Sequence, residues 1–301
     1  MLLRNLLEEY LLDIKLKNYS ERTIKSNKNL VGLFLTYLEE EYNITKVEEV
    51  SHVHIKAYIA LKQKQGRKPS YINTILKGLN SFYNYLQAED YVRDHLPKKI
   101  KFQKEDKTLI KTFTDEEVRS MIECFNFKDY MNARNRCIMT ILADTGVRNF
   151  ELCKITLSDI KENCIRILGK GKKERYVPIT PYLQKTLLKY MQIRSIRFKD
   201  YGALEPLFLS YRAKPLTIEA VERMVKLAGE LAKVRKDIRC SPHTLRHYYC
   251  QAQLRNGLDI YSLSRIVGHE DISITKRYLQ SIRDADVLEM AVKTSPLNFK
   301  S

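Results

Sequence analysis

The chain has no run of apolar residues long enough to cross a bilayer, which excludes a membrane-spanning helix. Its leucine-rich start, MLLRNLLEEYLLDIK, is interrupted by Arg4, Glu8, Glu9 and Asp13, so an amphipathic helix is expected there and not a signal peptide. The six cysteines (Cys124, Cys137, Cys153, Cys164, Cys240 and Cys250) show no CxxC and no framework spacing, and most lie inside apolar runs. They read as reduced, buried thiols of a cytoplasmic protein. Internal repeats and low-complexity tracts are also missing. Acidic residues are in deficit, 36 against 53 lysines and arginines, which leaves a net charge of +17. Such a charge concentrates polyanions at the surface, so nucleic acid is the first partner to consider, although excess lysine serves solubility equally well.

What is present suffices for two domains. A length of 301 residues with 44% hydrophobic content can bury a core in each. Residues 1–100 carry helical periodicity, with Val31, Phe34, Tyr37 and Leu38 in one stripe and Ile75, Leu76, Leu79, Phe82, Tyr83 and Leu86 in another. A four- or five-helix domain is expected, with helix starts at Ser20 and at Ser70. The turn from Gly66 to Pro69 is flanked by Lys62, Lys64, Arg67 and Lys68. These four either face DNA phosphates or solvate a helix end. Between Pro97 and Thr114 periodicity stops and lysines accumulate at Lys98, Lys99, Lys101, Lys104, Lys107 and Lys111. Residues 101–113 read as a flexible basic linker, with Lys98, Lys99 and Lys101 as candidate DNA contacts.

The second domain, 114–301, opens on a capping box from Thr114 to Glu117. A helix through Ile138, Ile141 and Leu142 runs to Asp144-Thr145-Gly146, and a further turn carries Arg148 and Glu151. Alternation at Ile165 and Ile167, then at Val177 and Ile179, predicts a small antiparallel sheet with Lys170 in the glycine-bounded turn. After Tyr182 the pattern is helical to about Val292, with breaks near Pro206, Pro215, Cys240, Gly257 and Gly268. The fold class expected is mainly α with a small antiparallel β-sheet.

Ser241-Pro242-His243 has the form of a helix start, with Ser241 as cap and Pro242 at the first helical position. His243 and Arg246 then share a face in the first turns, where backbone amides and the positive dipole end favour a phosphate. His243 and His247 have the spacing of two zinc ligands. The intervening Thr-Leu-Arg lacks the acid of HExxH, and Arg246 would put a cation beside the metal, so no metal is expected. Alone, a solvated HxxR is commonplace. Tyr278 is one of 19 tyrosines and is singled out by its neighbours: it lies nine positions after His269, in a short helix that follows the Gly268-His269 turn.

Taken in order, Thr145-Gly-Val-Arg-Asn-Phe-Glu-Leu152, Gly169-Lys-Gly-Lys-Lys-Glu-Arg175, His243-Thr-Leu-Arg246, and Gly268-His269 followed by Arg277-Tyr278 resemble the tyrosine recombinase family of phage-type integrases and Xer proteins. The resemblance spans almost the whole chain. It implies a SAM-like, core-binding N-terminal domain and a catalytic domain that together clamp double-stranded DNA. Tyr278 would attack the scissile phosphorus, forming a 3′-phosphotyrosyl bond and releasing a 5′-hydroxyl, with no cofactor. Arg148 and Arg246 would grip the non-bridging oxygens in place of metal ions. Lys170 would protonate the leaving oxygen, with Lys172 and Lys173 as competitors for that role and as candidate DNA contacts. His243 would exchange a proton with Tyr278, whose ordinary pKa of about 10 leaves it protonated at neutral pH, and His269 would bond a non-bridging oxygen. Glu151 matches an acidic support position, its alternative being an ordinary surface ion pair. The amphipathic segment from Asp284 to Lys293 either packs on its own chain or, as the resemblance implies for 284–301, passes to a neighbouring subunit in a tetramer on DNA.

The expected function is site-specific recombination, for integration or excision of a mobile element or for Xer-type resolution. Alternatives are DNA relaxation of the type IB topoisomerase kind and a non-catalytic DNA-binding protein of the same fold. No extra arm-binding domain is read at the N-terminus, which places the architecture nearer Xer proteins, whereas Lys276-Arg277-Tyr278-Leu279-Gln280 looks more like mobile-element integrases. Accessory DNA-bending or directionality factors are left open as partners. The expected location is the bacterial cytoplasm, associated with the nucleoid.

Overall fold

The computed structural model describes residues 1–105, 110–169, 173–280, 282, 284–295 and 297, without the side chains of 284–286 and 293. The chain divides into two compact units, Met1–Lys107 and Thr108–Ser301.

The first unit holds α1 (Leu3–Leu16), α2 (Glu21–Tyr42), α3 (His52–Lys64) and α4 (Pro69–Ala88), with a 3₁₀ turn at Val47–Glu49 between α2 and α3. Ser20 caps α2 by accepting from the Thr23 amide at 3.2 Å. The second helix start differs by one residue: α4 begins at Pro69, whose missing N–H costs nothing at the first helical position, and Lys68 is its cap. Ile75, Leu76, Leu79, Phe82, Tyr83 and Leu86 of α4 all point into the core, where they meet Val31, Phe34 and Leu38 of α2 and the apolar side of α1. Each such large side chain contributes roughly 1.5–3 kcal/mol by leaving water.

The stretch expected as a free basic strap is anchored through residue 105. Leu96–Lys99 form a 3₁₀ turn, and Leu96 and Ile100 pack on the helical core. Asn73 of α4 then binds the following backbone in both directions, accepting from the Gln103 amide at 2.8 Å and donating to its carbonyl at 2.9 Å. A polar side chain buried inside α4 thereby finds partners in a segment that carries few apolar anchors of its own.

The second unit contains α5 (Asp115–Glu123), α6 (Tyr130–Thr145), the single-turn α7 (Asn149–Leu152), β1 (Cys164–Leu168), β2 (Glu174–Pro178), α8 (Pro181–Arg197), α9 (Ile218–Leu231), α10 (Pro242–Arg255), α11 (Ile260–Val267), α12 (Ile272–Leu279) and α13 (Asp284–Lys293). The capping box is present: Thr114 accepts from the Glu117 amide and Glu117 from the Thr114 amide. Helix α6 is apolar nearly all round, with Cys137, Ile138, Met139, Ile141 and Leu142 buried, and it runs through the middle of the unit against α8 and α10. The strands pair antiparallel with Ile165 opposite Val177 and Ile167 opposite Arg175.

Helical pattern with breaks near Pro206 and Pro215 was expected after Tyr182; the chain is irregular and partly extended over the whole stretch between Phe198 and Thr217, which contains both prolines. Leu207, Phe208 and Leu209 are buried there, and their backbone is satisfied from outside: Tyr190 and Arg194 donate to the Leu207 carbonyl, and Tyr130 and Arg134 to that of Leu209. All six cysteines are free; Cys137 and Cys250 are buried, and the other four are half-buried. Among the described residues no helix is long and apolar enough to cross a membrane.

Helices α10, α11 and α12 build a small separate core from Tyr249, Cys250, Leu254, Leu263, Val267 and Tyr278. It seats the tyrosine-bearing helix on the helix that carries His243 and Arg246.

Candidate active site

Five residues named from the sequence, Arg148, His243, Arg246, His269 and Tyr278, line one cleft of about 570 Å³ in the second unit. Arg239, His247 and Arg277 join them on its wall. Lys170 and Lys172 lie outside the described residues. Lys173 is exposed and paired with Glu270 at 3.2 Å. Lys62, Lys64, Arg67 and Lys68 collect at the end of α3 and the turn into α4, with Lys62 over the Tyr58 ring and Arg67 over that of Tyr71. Lys98, Lys99 and Lys101 are exposed at the end of the first unit, where Lys99 pairs with Asp94 at 2.6 Å.

Each cleft residue is held by local backbone logic. Ser241 caps α10, accepting from the Thr244 amide at 3.3 Å, and Pro242 occupies the first helical position. His243 and Arg246 therefore sit in its first two turns, with His243 exposed at the rim and Arg246 buried. Arg148 precedes the single turn of α7, whose Glu151 reaches back to the Arg148 amide at 2.8 Å.

Glu151 is 3% exposed, which rules out the surface-pair alternative. Burial pushes its carboxyl up, but the paired hydrogen bonds from Arg175, followed by the Arg148 bonds, outweigh that and hold it below the ordinary carboxylate range. Oε1 accepts from Arg148 Nη1 at 3.0 Å and Arg175 Nη1 at 2.9 Å, and Oε2 accepts from Arg175 Nη2 at 2.7 Å.

Three guanidinium groups meet the carbonyl end of α11. Arg175 Nε donates to Ile266 O at 2.9 Å, Arg246 Nη2 to Val267 O at 2.6 Å and Arg148 Nη2 to Gly268 O at 3.0 Å. The exposed carbonyls and negative dipole end of a helix suit cations, which is how so much positive charge is assembled around one cleft. Burial, and after it Arg148, pulls the Arg246 guanidinium down to about 10, so it stays charged at neutral pH.

His247 and His269 are neutral at pH 7. His269 is lowered to about 4 by burial and by Arg246, and its Nδ1 bonds Thr275 Oγ1 at 2.8 Å. His247 is lowered to about 4 by burial and by His243. The Tyr278 hydroxyl, raised by burial, lies 2.8 Å from His247 Nδ1. Proton exchange with Tyr278 was expected of His243; in this structure the ring bonded to the hydroxyl is that of His247, one helical turn further on. His243 stands edge-on to it at a ring separation of 4.1 Å.

Sequence reasoning considered His247 only as half of a zinc pair and gave Arg175 no role. A signal for Arg175 existed. It shares a strand face with buried Val177, and an arginine on the inward side of a two-stranded sheet must find a buried partner.

The model of the phage integrase family matches residues 111–284, and that of the phage integrase N-terminal SAM-like domain matches residues 6–92. Tyrosine recombinase XerC of Thermodesulfovibrio yellowstonii is 30% identical over 297 residues, covering 96% of this chain and 95% of that one. Two solved structures share the fold. One is the XerH site-specific recombinase bound to palindromic difH substrate in a post-cleavage complex, with TM-score 0.74, 19% identity, and 92% of this chain and 81% of that one covered. The other is a lambda integrase tetramer bound to a Holliday junction, with TM-score 0.74, 16% identity, and coverage of 95% and 78%. The chain belongs to the phage integrase family and is a tyrosine recombinase.

Proposed function

We propose that the protein is a site-specific DNA recombinase in which Tyr278 is the nucleophile. The observation that carries this is the convergence of Arg148, His243, Arg246, His269 and Tyr278, drawn from 131 positions of sequence (148 to 278), on one basic cleft. The Tyr278 oxygen forms a bond to phosphorus as the bond to the 5′-oxygen breaks, and the phosphodiester energy is kept in the 3′-phosphotyrosyl link. The hydroxyl proton leaves toward the His243–His247 pair, of which His247 holds the hydroxyl. Lys170 supplies a proton to the departing 5′-oxygen, a role taken from the family pattern.

Arg148 and Arg246 stabilise the negative charge that grows on the non-bridging oxygens. Two of the N–H groups of Arg246 are bound to Gly146 O and Val267 O, which fixes the guanidinium plane and leaves its remaining donors for phosphate. The neutral His269 ring, oriented through Thr275, donates to the same phosphate. None of these steps needs a metal or a cofactor.

Double-stranded DNA is the partner, reached by both units. Lys62, Lys64, Arg67, Lys68, Lys98, Lys99, Lys101, Lys172 and Lys173 contribute phosphate contacts. Val287 and Leu288 on α13 are 49% and 68% exposed, which supports handing the segment 284–301 to a neighbouring copy in a tetramer. With six free cysteines and DNA as substrate, the location that fits is the bacterial cytoplasm.

The test is covalent trapping on DNA that carries the protein's own recombination site with a nick beside the scissile phosphate, in EDTA. A denaturation-resistant adduct formed by the intact protein and lost in Tyr278→Phe is the expected result. An adduct that persists in Tyr278→Phe reassigns the nucleophile, and strict dependence on added Mg²⁺ overturns the metal-free mechanism.

A further inference from the structure

We infer that Arg175 is a positioning residue for the phosphate-gripping groups, acting on Arg148 through Glu151 and on the Gly268–His269 turn through the Ile266 carbonyl. The inference rests on the proposed recombinase reading.

Arg175 makes three charge-assisted hydrogen bonds on two elements at once. Its Nη1 and Nη2 form a fork on Glu151, at 2.9 and 2.7 Å, while Nε bonds Ile266 O at 2.9 Å. The planar guanidinium therefore ties β2, the α7 turn and the end of α11 into one rigid unit, a geometry lysine cannot reproduce. Gly268 closes over it: a Cβ there would meet Arg175 Cδ at 3.0 Å and Nε at 3.2 Å.

The bonds place Arg175 one step from the chemistry. Glu151 carries both Arg175 and Arg148, so the fork that fixes the carboxylate plane also fixes where Oε1 holds Arg148 Nη1. On the other side, Ile266 O, Val267 O and Gly268 O are consecutive carbonyls shared among Arg175, Arg246 and Arg148. Arg175 alone of the three is not on the cleft wall. Its Nε, Nη1 and Nη2 are each already engaged, by Ile266 O and the Glu151 carboxylate, so it acts through those partners and not on phosphate. Without it the carboxylate keeps only Arg148 as an ion-pair partner, and Arg148 is drawn toward Glu151 and away from phosphate.

The experiment is single-turnover cleavage of the nicked site by Arg175→Gln, Arg175→Lys, Glu151→Gln and the double variant Glu151→Gln/Arg175→Gln, with DNA affinity and melting temperature measured alongside. Expected is a cleavage rate lower by about 10- to 100-fold in Arg175→Gln, the range found when a residue supporting an active-site ligand is removed, with site affinity changed less than about threefold. Arg175→Lys, which keeps the charge without the fork, should stay folded and lose rate as well. The double variant should be little slower than Glu151→Gln, because both changes remove one linkage.

Arg175→Lys and Arg175→Gln cleaving at the intact rate would overturn the inference, as would full additivity with Glu151→Gln. So would a fall in melting temperature with the rate per folded molecule unchanged. The intact protein's own adduct tests the recombinase reading, and the ratio of variant to intact rate tests Arg175, so the two failures are told apart.

Discussion

The hydroxyl of Tyr278 is held by Nδ1 of His247 at 2.8 Å, within the small core formed by α10, α11 and α12. Tyr278 is 3% exposed and its pKa is raised by burial, so it does not ionise on its own near neutral pH. The imidazole beside it is uncharged, with a value of about 4. The hydroxyl donates to Nδ1 in the tautomer that carries the ring proton on Nε2, which is the tautomer able to take the tyrosine proton.

Replacing His247 with Phe keeps an aromatic ring in the α10–α12 core while removing the acceptor. Covalent adduct formation should slow by about 10²- to 10⁴-fold at neutral pH, the range for loss of a general base, and the defect should shrink as pH rises toward the tyrosine's own ionisation. A pH–rate profile of His247→Phe parallel to that of the intact protein and equal in height would show that the bond takes no part in cleavage and would return the role to His243.

Arg148 reaches the cleft while its guanidinium is held by Glu151 and Gly268 O. Arg148→Ala removes one preorganised donor aimed at developing charge, so adduct formation should fall by about 10²- to 10³-fold while site binding is retained. Rates near those of the intact protein in single-turnover cleavage would make Arg148 structural.

Gly268 has φ of +68° and closes α11 directly over Arg175. Alanine there carries the left-handed penalty of about 1–2 kcal/mol and crowds the arginine. Gly268→Ala should lower the unfolding free energy by about that amount, read as a lower denaturation midpoint, and slow cleavage, because the same residue offers its carbonyl to Arg148. A midpoint within error of the intact protein would show that the turn relaxes.

Much of this was legible in advance because local rules and tertiary demands coincide. Ser20, Thr114 and Ser241 cap where their side chains allow, and the apolar stripe of α4 is buried residue for residue. Of the five cleft residues, Arg148, His243, Arg246 and His269 sit at a helix start or a glycine turn that sequence marks clearly, whereas Tyr278, near the end of α12, was singled out by its place after His269 and by the family resemblance. What escaped detection depends on three-dimensional partners. Arg175 matters only because Glu151, 24 residues away, is buried beneath it, and His247 only because α12 folds Tyr278 back onto α10. Likewise the anchoring of residues 101–105 depends on Asn73, about thirty positions earlier, which no local pattern announces.

Removal of the chain from Asp284 onward deletes α13, on which Val287 and Leu288 are exposed. The truncated protein should keep its melting temperature and single-site DNA affinity, because those side chains add little to the core of their own unit. Assembly on paired sites and recombinant yield should fall. Native gels resolving one- and two-site complexes check this, and undiminished recombination by the truncated chain would return the segment to packing on its own unit.

Acid should loosen the catalytic unit before it affects surface pairs. His247 and His269 have folded-state values of about 4, lowered chiefly by burial, against about 6.5 in an unfolded chain. Between those values the unfolded chain binds more protons than the folded one, so stability rises with pH across that window and is fully present above about 6.5. Glu151 acts in the same direction at lower pH: its folded value is depressed, and its contribution is lost as pH falls through it. With allowance for solvent screening at these half-buried rings, the loss between pH 7 and pH 5 should be on the order of 2 kcal/mol. Urea midpoints of the intact protein should therefore drop over that interval, and those of a His247→Gln/His269→Gln variant should drop less. Equal slopes for the two proteins would mean that the histidines titrate in the folded cleft as they do in water, and that the neutral ring beside Tyr278 needs another explanation.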